Sequence, residues 1–345
     1  FGYKNSMLLA LALVFGACLY MFFGNSFGAS KVLFLCIGVA FAFIKVSVYS
    51  MIGLFTETKE QHNSFMSSIE GFFMIGIASA YFLFPYFFDA ADPNAWLRVY
   101  LLLAGLIGVA FLLLLFTKVD IETPKSDDSL ADDFMGMLKL VALPLTIFFV
   151  LSAFCFVMVE QGIMTWLPTF NERVLSLNDT LSVQMASILA LSLAAGRFLA
   201  GQAVKKIHWV KLLTICLLAA AAMVAFVLPQ ALNTNPQVIH SFSEIPAIGF
   251  IFPLIGLFIA PVYPLISSAT LSALPQRMHS SMTGLIVIFS ALGGTLGSRI
   301  IGMLFEHVGG AQAFYFMLIP IAILIGALFL LNKFIKDYEH AHQPS

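Results

Sequence analysis

Residues Gly196 to Lys211 read GRFLAGQAVKKIHWVK. The stretch is a short basic loop with a Gly-Arg-x-x-x-Gly entry, set between two apolar runs that are each long enough to cross a bilayer. So short a loop makes its two helices antiparallel neighbours. Its cluster of Arg197, Lys205, Lys206 and Lys211 marks its side of the membrane as cytoplasmic, because positive charge resists translocation. Small residues at Gly196, Ala200 and Gly201 let helix backbones approach closely. The arginine beside them can hold a neighbouring helix end through charge and carbonyl contacts.

Composition agrees with a membrane setting. Hydrophobic residues make up 60% of the chain and charged residues only 10%, with 36 phenylalanines and a mean hydropathy of +0.97. A soluble fold of this length would need far more polar surface. The net charge of −1 argues against a nucleic-acid partner and leaves the lipid bilayer as the expected surroundings. Cys18, Cys36, Cys155 and Cys216 are isolated inside apolar runs, without metal-ligand or redox spacing, and read as packing residues. No cofactor or metal motif is visible.

Working outward from the basic loop, apolar stretches of about 20 residues recur along the chain, the length that crosses ~30 Å of hydrocarbon. Ten are expected, at 6–23, 32–54, 64–87, 96–116, 141–167, 181–202, 209–229, 246–272, 281–304 and 312–333. The one long polar interruption, 117–139, is rich in Asp and reads as a linker between two bundles, with a short amphipathic helix at its end. Counting basic residues in alternate loops puts Lys4, Lys59, Lys118, Lys125, Lys139, Arg197, Lys205, Lys206, Lys211, Arg277, Lys333 and Lys336 on one side. Only Lys31, Arg98 and Arg173 fall on the other, while Lys45 and Arg299 lie within spans. Both termini and the linker are therefore expected in the cytoplasm, with the protein multi-pass in the inner or plasma membrane.

The chain before the linker also resembles the chain after it. Phe1-Gly-Tyr-Lys4 parallels Ile207-His-Trp-Val-Lys211, Val48-Tyr49 parallels Val262-Tyr263, and His62 and His279 each open a span carrying a glycine, Gly76 or Gly293. On this register six spans follow the linker and four precede it, so the chain is expected to begin just after a second helix.

Two six-helix bundles, a cytoplasmic linker and a Gly-Arg-x-x-x-Gly loop between the second and third helices of a bundle resemble the major facilitator superfamily. Gly196, Arg197, Gly201, Lys205 and Lys206 match the second-half copy of its signature loop. The resemblance implies an all-α integral membrane fold of two bundles related by pseudo-two-fold symmetry, with about 10 of 12 transmembrane helices present here. Residues 1–116 would form the N-terminal bundle without its first two helices, 140–333 the C-terminal bundle and 334–345 a cytoplasmic tail. It also implies a monomer with a central substrate site near the midplane, opened alternately to each side by rocking of the halves.

Few polar residues interrupt the spans, and each is a candidate for function. Lys45 sits near the middle of its span, where an unpaired charge costs about 2.5 kcal/mol or more, so it must face protein or water. Helical spacing puts Tyr49 and Ile52 on its face. Lys45 is read either as a substrate ligand, with Tyr49, or as half of a structural ion pair. Glu160 lies in FVMVEQGIMTWLPTF, followed by Gln161 and Trp166. Burial favours the neutral form of a carboxyl group, so Glu160 can exchange a coupling proton. Alternatively it latches an outer gate with Arg299, and Trp166 is an interfacial belt residue. A carboxylate, an amide and an indole here resemble the sugar-binding helix of fucose-permease-like symporters, which implies substrate contacts from Gln161 and Trp166. Where those relatives show a glutamate followed by Asn-Pro, this chain reads IKVSVYSM, with Lys45 in place of the carboxylate.

Arg299 follows the glycine-rich ALGGTLGSR and is read as a substrate-anion ligand, a gating latch with Glu160 or Glu306, or a snorkelling interfacial residue. Glu70, near a helix N-terminus, reads first as structural, its alternatives being to receive a cytoplasmic-side proton or to pair with a signature-loop cation. The run Ala260-Pro-Val-Tyr-Pro264 should break its helix twice, giving either a gating kink with Tyr263 as a pore-lining hydroxyl or a static bend.

No nucleophile elbow, phosphate loop or metal cluster supports enzyme chemistry. The expected function is secondary active transport of a small polar solute, a sugar or related metabolite, by proton-coupled symport. An organic-anion carrier using Lys45 and Arg299, or a drug or metabolite exporter, are the competing readings.

Overall fold

The computed structural model describes residues 2–56, 58–89, 91–118, 139–233, 238–275 and 278–341. Among them are ten helical spans long and apolar enough to cross a membrane. They are α1 (Tyr3–Gly24), α2 (Phe27–Phe55), α3 (Ser64–Phe87), α4 (Ala95–Phe116), α5 (Pro144–Arg173), α6 (Asp179–Ala203), α7 (Trp209–Ala231), α8 (Ala247–Leu271), α9 (Ser281–His307) and α10 (Gly310–Ala341). No strand occurs among the described residues, only an isolated parallel bridge between Leu177 and Ile239. All ten expected spans are present. The last runs past its expected end at 333 because Lys333, Lys336, Asp337, Glu339 and Ala341 are compatible with helix outside hydrocarbon. The amphipathic helix expected at the end of the linker lies outside the described residues.

Two compact units emerge: one of residues 1–55, 83–137 and 276–287, the other of residues 56–82, 138–275 and 288–345. The first is built on α1, α2 and α4. Ala17, Cys18 and Met21 of α1 bury against Ala29 and Leu33 of α2 and Leu97 and Ala104 of α4. The α1–α2 connection is two residues long; Asn25 takes a left-handed φ of 33°, and its N–H donates to Met21 O at 3.2 Å. Such a turn suits asparagine, whose short side chain tolerates that conformation. Lys4 Nζ donates to Leu115 O at 2.9 Å and Thr117 O at 2.8 Å, placing a cation on the last carbonyls of α4.

In the second unit α5 and α8 are the most enclosed spans, each with 72% of its apolar window buried. The helix of α6 starts on an Asn178 cap, whose Oδ1 accepts from Leu181 N at 2.9 Å, satisfying one of the donors a helix start leaves open. Glycines set the closest crossings. A Cβ on Gly196 would meet Leu257 O at 2.6 Å, and one on Gly256 would meet Leu189 O at 2.8 Å, so α6 and α8 touch backbone to backbone. A Cβ on Gly293 or Gly297 of α9 would collide with Phe154 O or Met158 O of α5.

The α8 span is broken twice, though not at both prolines of the APVYP run. A 3-10 segment occupies Phe252–Leu254, and helix Ile255–Ile259 gives way to a turn at Ala260 and Pro261 before helix Val262–Leu271 resumes. Pro264 falls in the first turn of that last helix, where the amide it lacks has no intrahelical partner to lose. The first break sits instead at Pro253.

Candidate functional site

From sequence, Gly196 and Arg197 fall both within the expected span 181–202 and at the entry of the basic loop. In the structure the α6 helix continues to Ala203, so both residues and Gly201 lie inside it. Nothing in AAGRFLAGQA interrupts helix, and the arginine needs no water because its charge is met within the protein. Only residues 204–208 turn, carrying Lys205 and Lys206.

Arg197 is 1% exposed and is among the largest fully buried side chains of the described residues. Its Nη1 donates to a carboxylate oxygen of Glu70 and to the Glu70 backbone carbonyl, both at 2.9 Å. Its Nη2 donates to Glu160 Oε1 at 2.7 Å. Glu70 and Glu160 are 5% and 6% exposed. Three spans, α3, α5 and α6, therefore meet at one guanidinium, and the planar fork of arginine is what lets two carboxylates be served at once.

Small residues and rings on the adjoining turns fix that meeting. One turn after Arg197, Gly201 faces Ser67, where a Cβ would come 3.4 Å from that of the serine. Next to Glu70, Gly71 packs on the ring of Phe198, so closely that a Cβ there would come 2.8 Å from the nearest ring atom. Phe72 meets the same ring edge-on, centroids 5.5 Å apart. Further along, the buried His62 lies 2.6 Å from the hydroxyl of Ser268 through Nδ1, and Tyr81 donates to Met164 O at 3.2 Å. The helix Lys59–Leu83, which carries His62 just ahead of the α3 span, is thus tied to α5, α6 and α8 at successive levels.

Glu160 therefore pairs with Arg197 and not with the Arg299 weighed for it. Arg299 is exposed, and no ion pair of Arg299 occurs among the described residues. Glu70 takes one of the alternatives weighed for it, pairing with the signature arginine. Gln161 and Trp166, one and six residues after Glu160, face α9. A Cβ on Gly294 would meet Gln161 Cγ at 3.1 Å, while Trp166 Nε1 donates to Ser298 O at 2.7 Å and its ring stacks on Phe305 at 5.4 Å. Tyr263 is buried, its ring 5.7 Å from that of Phe156. In the first unit Lys45 is half-buried, its ammonium 5.1 Å from the centre of the Phe41 ring and 5.2 Å from that of Tyr49. Tyr49 itself is 2% exposed and Ile52 is buried beside it. Aromatic faces attract a cation that has lost water.

The triad is only partly legible in the sequence. All three residues stand out as charges in apolar runs, but nothing in the spacing of positions 70, 160 and 197 says that they converge.

Residues 1–298 match the family model of the Major Facilitator Superfamily. The chain belongs to the major facilitator superfamily of membrane transporters. Its fold is similar to that of a superfamily transporter, FucP, in an outward conformation, with a TM-score of 0.72 and 14% identity over 95% of this chain and 83% of that one. A second structure, of the E. coli fucose:proton symporter FucP, gives 0.72 and 15% over 95% and 84%. The human organic anion transporter TETRAN gives 0.69 and 16% over 95% and 77%. No curated protein sequence matches the chain.

Proposed function

We propose that this transporter is a proton-coupled symporter of a small polar solute, a sugar or related metabolite, with Glu160 as the coupling carboxylate. The observation that carries the reading is the sharing of buried Arg197 between Glu70 and Glu160. Arg197 holds Glu70 through side chain and backbone, and reaches Glu160 through a side-chain oxygen alone. A proton on Glu160 weakens its tie to the guanidinium, while the Glu70 carbonyl keeps the arginine in place. Protonation is thereby linked to the packing of α5, the span that also carries Gln161 and Trp166. A solute bound by Gln161, Trp166 and Tyr263 then moves with the proton by alternating access, and Lys45 and Tyr49 are further candidate solute ligands. Gly196, Arg197 and Gly201 gate the pathway through the close helix crossings they permit, and Arg299 acts as a second latch. Likeness to a fucose:proton symporter supports a sugar.

The reading extends to a monomer in the inner or plasma membrane, with both termini cytoplasmic, and to bundles at 1–116 and 140–333 joined by the linker 117–139. Lys45, held against two rings within a span, favours one other reading, an organic-anion carrier.

The test is the external pH of proteoliposomes on adding candidate sugars and organic acids, with Glu160→Gln and Lys45→Ala alongside. Symport gives alkalinisation with one solute, abolished in Glu160→Gln, which still exchanges labelled solute for unlabelled. Uptake without proton movement that survives Glu160→Gln and fails in Lys45→Ala overturns symport in favour of the anion carrier.

A further inference from the structure

A cavity of about 440 Å3 opens between the first turns of α7 and the last turns of α10, with His208, Lys211, Thr214, Ile215, Phe329 and Lys336 in its lining. The transport mechanism makes no use of it. Its chemistry is graded along the helices. Lys211 is the third residue of α7 and His208 immediately precedes that helix, while Lys336 lies two turns beyond Phe329 toward the end of α10. The two antiparallel helix ends thus bring three basic groups to the membrane-surface end and leave Ile215 and Phe329 deeper.

The apolar side continues out of the cavity, since Ile215, Leu218 and Phe329 are each more than half exposed. Thr214 donates its hydroxyl proton back to Val210 O at 2.8 Å. Trp209 stacks beside His208 with ring centroids 6.0 Å apart; tryptophan at a span end sits at headgroup depth. The lining holds no carboxylate, and residues 204–215 contain Lys205, Lys206 and Lys211 without an acid. Asp337 follows Lys336 directly but does not line the cavity.

We propose that this groove binds a phospholipid with an anionic headgroup, its phosphate held by Lys211, Lys336 and His208 and an acyl chain lying on Ile215, Leu218 and Phe329. Basic pockets between spans near a membrane surface recognise such headgroups. A soluble anion would gain the charges but none of the apolar floor, and a zwitterionic lipid would gain the floor without the full charge complement. Occupancy bridges α7 and α10 and so stabilises the second unit.

The test is native mass spectrometry of the full chain in detergent, titrated with phosphatidylglycerol or phosphatidylcholine. One phosphatidylglycerol should be retained well above phosphatidylcholine, and glycerol phosphate alone should not displace it. Lys211→Gln with Lys336→Gln should weaken retention roughly 30-fold, about fivefold for each cation removed. Lys211→Arg with Lys336→Arg should retain it. Circular dichroism and elution volume show that both pairs remain folded. Equal retention of the two lipids, displacement by glycerol phosphate, or an unaffected glutamine pair overturns the proposal.

Discussion

Arg197 and Glu160 meet at 2.7 Å with side-chain exposures of 1% and 7%, joining α6 to α5 inside the second unit. Removing one partner of such a pair strands the other in a medium that solvates it poorly. Arg197→Met is therefore expected to cost about 3–5 kcal/mol, read as a lower unfolding temperature of the purified protein. Arg197→Lys should recover little of it, because a single ammonium cannot occupy both guanidinium positions. An unchanged unfolding temperature in Arg197→Met would remove the triad from the stability of the fold.

Stability and coupling separate when the whole triad is made apolar. Arg197→Met with Glu70→Leu and Glu160→Leu leaves no stranded charge, and such replacements are commonly neutral or stabilising. The triple variant should be more stable than Arg197→Met alone yet move no protons with solute. Retained proton movement would take the coupling role away from Glu160.

Glycine positions should respond with opposite signs. Gly196→Ala drives a methyl to within 2.6 Å of Leu257 O, a backbone atom that cannot turn aside, and should destabilise by about 1–3 kcal/mol. Gly326→Ala meets nothing within 4 Å and should gain up to ~1 kcal/mol from helix propensity. Thermal unfolding of the two variants side by side checks both signs.

Trp166→Phe keeps a ring against Phe305 but deletes the bond to Ser298 O. The expected loss is about 1 kcal/mol of stability. If Trp166 also contacts solute, half-saturation for uptake should rise by more than this modest loss explains, and a vesicle uptake curve measures it.

Orientation can be read with a single cysteine in place of Lys206, after replacing the four native cysteines. A membrane-impermeant maleimide should label it only in inverted vesicles or permeabilised cells. Labelling of intact cells would reverse the topology derived from basic residues.

The expected spans at 64–87 and 209–229 have close counterparts in Ser64–Phe87 and Trp209–Ala231, because hydrocarbon thickness sets a length that composition alone reveals. The broken α8 was half legible: prolines announced interruption, but Pro264 proved harmless once the turn fell at Ala260 and Pro261. Arg197 fell within the expected span 181–202 and also within the basic loop stretch, and only the packing showed that Glu70 and Glu160 meet its charge inside the helix. Membership of the superfamily was carried by the Gly-Arg-x-x-x-Gly stretch together with the number and length of the spans.

The sequence by itself determined the membrane setting and the spans, since both follow from local composition and chain length. The tertiary structure decided that Glu70, Arg197 and Glu160 form one buried cluster, that Gly196 lies against the α8 backbone, and that Lys211 and Lys336 share a groove. Those are pairings between helices far apart in the chain, fixed by how side chains interlock, and no local period or propensity encodes them.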